Sequence, residues 1–365
     1  MTDIFKTITI GNLELKNRVM RSATWDGTAD GTGKVTNDSV RLYMELGQGN
    51  IGLIISGHSY VSPLGQATPA QYGIHTDDMI PGLKRMVEAA HQGGAKIAIQ
   101  LAHCGFNSGY LRRQGIPVQV VSYRKGVETE QQEMTGEDIN LLIDSYASAA
   151  QRAVKAGFDA IQLHGAHGYL MSQFLSPLSN TRTDKWGGNA ENRRRFHLEV
   201  IKRIRQAIDK DFPLMIKFGV MKDSEDRLAL DESLETARQM VEQGIDAIEV
   251  SAGDNRGHIP RLTDDLSEQV AFRDRAIAAK KAVQVPVMLV GGIRSLETAN
   301  EILQSGDADM ISMCRPFIRE PHLMVRWQRG KTEPATCISC NKCIPSNRII
   351  TCGENLRLRE EANSS

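Results

Sequence analysis

The chain has 365 residues, above the roughly 100–200 residues of a typical domain, and 41% of them are hydrophobic. Its 44 basic and 44 acidic side chains cancel, which excludes a general electrostatic attraction to nucleic acid or to an anionic membrane. No apolar run approaches the roughly 18 residues of a membrane span, and no signal peptide is visible after Met1. The composition therefore predicts a globular, cytoplasmic protein with an ample core.

A short hairpin is the first predicted element, over Thr7–Leu15, with its turn at Gly11-Asn12. Eight short apolar runs follow and predict buried strands, most of them preceded by an amphipathic stretch that ends at a glycine. In chain order these predicted strands are Arg18–Ala23, Gly49–Ser56, Gly94–Leu101, Gly157–His164, Pro213–Gly219, Gly244–Ser251, Pro286–Gly291 and Gly306–Met313.

Amphipathic segments between the strands predict helices near 78–92, 135–155, 190–209, 231–243, 267–283, 296–305 and 317–329. Thr135 and Asp138 have the spacing of a capping box. Apolar strands that alternate with helices predict a parallel sheet, and eight such units predict a (β/α)8 TIM barrel over 1–330, with the hairpin at its floor. A short cysteine-rich extension, 331–365, follows, and its polar last dozen residues are expected to fray.

The carboxyl ends of the strands carry the active site in this fold. The fourth strand ends at His164, and His167 and Tyr169 follow it. If one helical turn follows the strand, both imidazoles face the same way and could donate N–H groups to one oxygen, and the phenol could supply a proton. A metal-binding pair or two structural histidines is the alternative.

Strand seven ends at Gly291-Gly292, and strand eight ends at Cys314-Arg315. Barrels commonly bind a phosphate at these two positions, through backbone amides and a cation. A simple glycine turn and a surface arginine would explain the same residues, and the residues alone leave both interpretations open.

Longer motifs extend from the first predicted strand to the last. The longest is HGAHGYLMSQFLSPLSNTRTDKWGGNAENRRRF at 164–196, and the others are LKNRVMRSAT at 15–24, IQLAHCG at 99–105 and DMISMCRPFIREP at 309–321. With these motifs the chain resembles the old yellow enzyme family of FMN-dependent ene-reductases, especially its bacterial branch related to 2,4-dienoyl-CoA reductase and trimethylamine dehydrogenase.

The resemblance implies FMN across the mouth of the barrel, with NADH or NADPH as the reductant and an unsaturated carbonyl compound, an enone or a dienoyl thioester, as the substrate. The implied flavin contacts are Ala23 and Thr24 at the ring edge, Gln100 at the pyrimidine half and Lys217 at the N1–C2 edge, where many relatives have arginine. The residues implied to hold the FMN phosphate are Gly291, Gly292, Cys314 and Arg315.

The same resemblance implies that His164 and His167 bind the substrate carbonyl oxygen while hydride passes from flavin N5 to the β-carbon. Tyr169 is then implied to protonate the α-carbon. Two positions depart from the family pattern. Trp25 stands where relatives often have a smaller residue that tunes the flavin, and His58 either contacts flavin or substrate or faces solvent.

Four cysteines lie close together near the C-terminal end. Cys337, Cys340 and Cys343 have the spacing C-x2-C-x2-C, and Cys352 follows. Four thiolates suit a [4Fe–4S] cluster or a zinc ion, and the iron–sulfur members of the resembled family have a similar run after the barrel. The gap before Cys352 is shorter than in those members, so an empty or zinc-stabilised remnant is the alternative.

Partners follow from the same resemblance. The iron–sulfur members have additional flavin and nucleotide-binding domains after the cluster, so a cluster in a chain that stops at Ser365 would require a separate electron-transfer partner. Relatives often form dimers or tetramers, which predicts a homo-oligomer.

Three other functions compete with the ene-reductase. An amine or demethylating dehydrogenase would run the flavin in the opposite direction, although an amine offers no carbonyl oxygen to the histidine pair. An electron-transfer subunit would bind flavin without reducing an enone. A Schiff-base aldolase would use Lys217, because lysine on a barrel strand is a known nucleophile.

Overall fold

The computed structural model describes residues 3–128, 130–220, 230–252, 270–343 and 349–364. Its first strands form the antiparallel hairpin of β1 (Ile8–Ile10) and β2 (Leu13–Leu15), with Ile8 paired to Leu15 across the turn. Gly11 has φ +56°, a left-handed conformation that glycine adopts without strain. The predicted hairpin is therefore present.

The eight predicted strands close into one parallel barrel, which confirms the TIM-barrel prediction. Around the barrel, each strand is hydrogen-bonded to the next one along the chain, and the last pairs with the first. The barrel strands are β3 (Val19–Arg21), β4 (Leu53–Tyr60), β5 (Lys96–Ala102), β8 (Ala160–Gly165), β9 (Leu214–Gly219), β10 (Ala247–Ser251), β11 (Val287–Val290) and β12 (Met310–Met313).

The two remaining strands, β6 (Val118–Val120) and β7 (Gln131–Glu133), form a separate parallel pair in the connection after β5. The sequence analysis did not predict them. Three residues are too few to show an alternating pattern, and β7 exposes all of its side chains at least partly.

Apolar side chains from the first half of the barrel strands form a buried cluster in the interior, including Met20, Leu53 and Met215. Ile10 and Leu15 of the hairpin belong to the same buried cluster. The hairpin therefore closes the amino-terminal end of the barrel, and the opposite end is left for a site.

Helices cover the outer face of the barrel, and each predicted helix has a counterpart. The helices are α1 (Asn37–Gln48), α2 (Ile80–Gln92), α3 (Gly109–Arg113), α4 (Gly136–Ala156), α5 (Leu170–Leu175), α6 (Ala190–Ala207), α7 (Leu230–Glu242), α8 (Arg273–Ala282), α9 (Leu296–Gln304), α10 (Arg315–Arg319), α11 (Leu323–Gln328) and α12 (Gly353–Ser364).

Helix α4 shows why these segments are helical. Thr135 accepts a hydrogen bond from the Asp138 amide, and the Asp138 carboxylate accepts one from the Thr135 amide, so the predicted capping box is formed. The helix ends at Gly157, which has φ +87°. Its apolar face, which includes Ile139 and Tyr146, is buried against the barrel.

Three helical segments differ from the predictions. The helix expected near 317–329 is two helices, α10 and α11, because Pro321 falls between them and does not continue a helix. Helix α8 begins at Arg273, and residues 267–269 of its predicted start lie outside the described residues. The polar C-terminal residues, expected to fray, form α12, where Arg357 pairs with Glu354 at 2.6 Å. Among the described helices, none is both long and apolar enough to cross a membrane.

Candidate active site

One cavity of about 650 Å³ opens at the carboxyl ends of the barrel strands. All of the residues for which the sequence analysis predicts a flavin or catalytic role line this cavity. They are Ala23, Thr24, Gln100, His164, His167, Tyr169, Lys217, Gly291, Gly292, Cys314 and Arg315. The strands therefore bring together residues that are spread over nearly the whole barrel sequence, from its first strand to its last.

His164 is the penultimate residue of β8, and the chain then turns sharply before α5. His167 has φ +60°, so no helical turn joins the two histidines, contrary to the predicted local geometry. Their rings nevertheless lie 5.2 Å apart, centre to centre, with perpendicular planes. The turn, and not a helix, directs both imidazoles into the cavity.

Each of the two imidazoles is held through one of its nitrogens. The Ala166 amide donates to His164 Nδ1 at 3.4 Å, and His167 Nε2 lies 2.7 Å from the Ser251 hydroxyl. Burial and the neighbouring His167 hold the pKa of His164 well below its usual value, and burial lowers the pKa of His167 to about 3. Both rings are therefore neutral near pH 7, and each carries one N–H.

Tyr169 lies in the cavity wall beside the two histidines and contacts His58, whose role the sequence left open. His58 Nε2 lies 3.0 Å from the Tyr169 hydroxyl, and the two rings stack with centres 5.5 Å apart. His58 is buried in the cavity wall, so the solvent-facing alternative is wrong. Burial lowers the pKa of His58 to about 4 and raises the pKa of Tyr169.

Trp25 also lines the cavity, and its indole Nε1 is buried without a hydrogen-bond partner among the described residues. A buried indole N–H normally finds an acceptor. Cys104, which follows β5, is buried and is not among the residues that line the cavity.

The opposite end of the cavity has the two glycines and two cations. Gly291 and Gly292 have φ +114° and +84°, and a Cβ at Gly291 would lie 3.0 Å from the Phe272 ring. Arg315 opens α10. Sequence analysis overlooked Arg294, which lines the cavity, donates to the Cys337 carbonyl and keeps Nε buried without a partner among the described residues. The sequence GGIR was the available signal.

Lys217 on β9 rises from the floor of the cavity but is not a free amine. Its Nζ lies 3.2 Å from the Glu249 carboxylate and donates to the Ser22 hydroxyl at 2.6 Å. Sequence analysis overlooked Glu249, because one acidic residue in an apolar run carries no motif. Lysine and glutamate pair directly across β9 and β10.

Cys314 contributes its side chain to the cavity. Its Sγ lies 2.9 Å from the Thr24 hydroxyl, and both side chains line the cavity. The thiol therefore contributes to the wall.

The C-terminal cysteines are free thiols that lie near one another. Burial, followed by the neighbouring Cys314, Cys337, Cys352 and Cys340 thiols, raises the pKa of Cys343 to about 12. Within the described part of the chain, however, no three His, Cys, Asp or Glu side chains are grouped closely enough to hold a metal ion. The described geometry thus does not fit the predicted [4Fe–4S] or zinc site.

Comparison with known proteins agrees with the fold. The model of the NADH:flavin oxidoreductase / NADH oxidase family matches residues 3–333. An NADH oxidase of Thermoanaerobacter brockii is 34% identical over 99% of this chain and 56% of its own length. An NADPH dehydrogenase of Bacillus subtilis is also 34% identical, over 87% of this chain and 92% of its own length.

Solved structures give the same assignment. A 2-naphthoyl-CoA reductase in complex with 2-naphthoyl-CoA has a TM-score of 0.86 and 28% identity, over 93% of this chain and 54% of its own. An old yellow enzyme homologue from Zymomonas mobilis has a TM-score of 0.78 and 27% identity, over 90% and 93%. This chain spans little more than half the length of the first relatives it matches. It belongs to the NADH:flavin oxidoreductase / NADH oxidase family, which includes the old yellow enzymes.

Proposed function

We propose that the protein is an FMN-dependent oxidoreductase that uses NADH or NADPH to reduce an activated C=C bond. The observation that carries this proposal is the group of two neutral imidazoles and one phenol on a single wall of the cavity. When bound, FMN would supply the hydride chemistry between the nicotinamide and the β-carbon of the substrate.

The chemistry of the opposite wall fits the mononucleotide. Gly291 leaves backbone exposed where a side chain would meet Phe272, and Arg294 keeps a buried Nε without a partner among the described residues. Arg315 adds a second cation at this end. These residues would hold the phosphate, and Ala23, Thr24, Gln100 and Lys217 would contact the ring.

The histidine pair binds the substrate carbonyl oxygen. The Ala166 amide occupies His164 Nδ1, so the single proton of that neutral ring is on Nε2. Ser251 occupies His167 Nε2 and leaves Nδ1 for the cavity. Two N–H donors aimed at one oxygen stabilise the negative charge that develops there. Removal of one such donor typically raises the activation barrier by about 3 kcal/mol.

Tyr169 holds the proton for the α-carbon. Burial raises its pKa, so the hydroxyl is protonated at neutral pH and available as an acid. His58 Nε2 contacts the Tyr169 hydroxyl oxygen and fixes the orientation of the phenol.

The relatives support this substrate class. One structural relative holds 2-naphthoyl-CoA, whose thioester carbonyl is conjugated to C=C bonds, and other relatives are an NADH oxidase and NADPH dehydrogenases. We extend to this chain the class of conjugated carbonyl compounds, including enones and dienoyl thioesters.

The competing functions have less support. A Schiff-base aldolase requires an unpaired lysine amine, whereas Lys217 is ion-paired with Glu249. An amine dehydrogenase would give the imidazole pair no carbonyl oxygen to bind. An electron-transfer subunit would have no substrate for Tyr169 to protonate.

The electron-transfer partner and the homo-oligomer stay predictions from the resemblance, whereas the described cysteine geometry does not support the iron–sulfur cluster. Iron and sulfide assays on anaerobically purified protein test the cluster, and copurification and sedimentation test the partners.

The test of the function is a pair of half-reactions with the flavin-loaded protein. Wild-type protein should be yellow, bleach with NADH or NADPH, and recover its colour with cyclohexenone. Y169F should slow recovery much more than bleaching. A colourless protein, or equal slowing of both steps, would contradict the proposal.

A further inference from the structure

Beneath the cavity, six polar side chains form a hydrogen-bonded layer across the barrel. They lie on, or directly after, six different strands, and each is at most 3% exposed. The layer consists of Ser22, Gln100, Gln162, Lys217, Glu249 and Ser312. Gln162 and Glu249 are not among the residues that line the cavity, so they lie behind the others.

Glu249 is the centre of this layer. Its Oε1 accepts hydrogen bonds from the Ser22 and Ser312 hydroxyls, both at 2.7 Å, and lies 3.2 Å from Lys217 Nζ. Its Oε2 accepts from Gln162 Nε2 at 2.9 Å. A fully buried carboxylate is tolerated only when it is paired and hydrogen-bonded in this way.

The Glu249 carboxylate determines the orientation of the side-chain amides of Gln162 and Gln100. An ionised carboxylate only accepts hydrogen bonds, so Gln162 must turn its NH2 group toward Glu249 and its carbonyl toward Gln100. Gln100 then donates from Nε2 to that carbonyl at 2.7 Å. The Gln100 carbonyl oxygen is left as an acceptor for whatever fills the cavity.

The same carboxylate also changes the electrostatic potential near Lys217. Lys217 lines the cavity and has a buried anion directly behind its amine. Glu249 therefore offsets part of the positive potential that Lys217 exerts on an occupant of the cavity. Both effects originate in one residue that the occupant does not touch.

We propose that Glu249 is a positioning residue of the flavin site, which makes Gln100 a hydrogen-bond acceptor toward the flavin and reduces the effective charge of Lys217. This inference rests on the proposed function, because it requires FMN in the cavity.

The hydrogen bonds that run from Glu249 through Gln162 to Gln100 form a relay. Replacement of the Glu249 carboxylate by an amide inverts the direction of this relay. In E249Q the new carbonyl must face the Ser22, Ser312 and Lys217 donors, so the new NH2 group faces Gln162. Gln162 must then turn over, and Gln100 turns over in response and presents NH2 to the cavity. The double variant E249Q/Q162E restores the direction, because the carboxylate introduced at position 162 accepts from both neighbours.

The experiment measures FMN affinity and the midpoint potential of bound FMN. E249Q should raise the dissociation constant of oxidised FMN at least fivefold. Loss of the anion should also raise the ratio of oxidised to reduced dissociation constants about tenfold, a shift of about +30 mV for a two-electron couple. E249Q/Q162E should recover most of the affinity.

The matched control is E232Q, which removes a carboxylate paired with Arg193 at 2.7 Å on the outer helices and should leave both quantities unchanged. FMN affinity and potential that are unchanged in E249Q would overturn the inference. If E249Q does not fold, Q162L decides, since it interrupts the relay alone: weaker FMN binding supports the relay, and unchanged binding overturns it. A wild-type protein that binds no FMN refutes the proposed function instead.

Discussion

His58 gives a prediction that the family pattern alone would not make. Its Nε2 lies 3.0 Å from the Tyr169 hydroxyl, whereas its Nδ1 has no partner among the described residues. An unpaired buried N–H is rarer than an unpaired acceptor, so the proton of this neutral ring belongs on Nε2. His58 therefore donates to Tyr169 and leaves the phenol proton free for the substrate.

The substitution H58F keeps an aromatic ring against Tyr169 and removes the donor. A hydrogen bond to a charged group contributes about 1.5–3 kcal/mol. If about half the charge of a tyrosinate has formed in the transition state, the loss is about 1 kcal/mol, or a roughly fivefold slower proton transfer. His58 has a pKa of about 4, so the effect should be constant from pH 6 to 8.

Anaerobic stopped-flow measures the two half-reactions separately. H58F should slow flavin reoxidation by cyclohexenone about fivefold and change flavin reduction by NADPH less, and H58F/Y169F should match Y169F. H197F is the control, because His197 is also buried but is not among the residues that line the cavity. Equal slowing of both half-reactions by H58F, or a further loss in the double variant, would refute the role of His58.

Three other substitutions test separate parts of the structure. H164A should weaken the binding of phenols, which mimic an enolate oxygen, by roughly tenfold in a spectral titration; unchanged affinity would refute the assigned role. R315M should raise the FMN dissociation constant roughly 10- to 100-fold, with R315K intermediate, as followed by flavin fluorescence; equal values in all three proteins would refute phosphate binding. His197 is fully buried, has no partner for either nitrogen among the described residues, and has a pKa lowered to about 3 by burial. Because this pKa lies below the unfolded value, the stability contribution is present above about pH 6.5 and is lost as the pH falls toward 3. H197L should therefore be more stable than wild type in urea by about 1 kcal/mol at pH 7, and this advantage should grow by about 2 kcal/mol at pH 5; a pH-independent difference would contradict the burial of a neutral ring.

Much of the barrel follows from local sequence patterns. A buried parallel strand is apolar throughout, and a helix on its surface is amphipathic and ends at a glycine such as Gly157. These signals lie within a few residues of each other, so the eight strands and the capping box at Thr135 were predictable. The short strands β6 and β7 carry no such signal.

The cavity residues were predictable for a different reason. The rule that a barrel binds at the carboxyl ends of its strands converts eight strand ends into one short set of candidates, and motifs such as HGAHGY narrow it. The missed residues, among them Glu249 and Arg294, are single polar residues whose partners lie far away in the sequence.

The sequence by itself determined the strand order, the barrel and the wall on which the two histidines lie, because those depend on periodicity and on which residues end each strand. Only the tertiary structure decided how those side chains are partnered. The pairing of His58 with Tyr169 joins a strand to the residue before α5, and the pairing of Lys217 with Glu249 joins two strands. The pKa of a buried imidazole, and the direction in which an amide points, depend on such neighbours and on the exclusion of water, neither of which is encoded in any one segment.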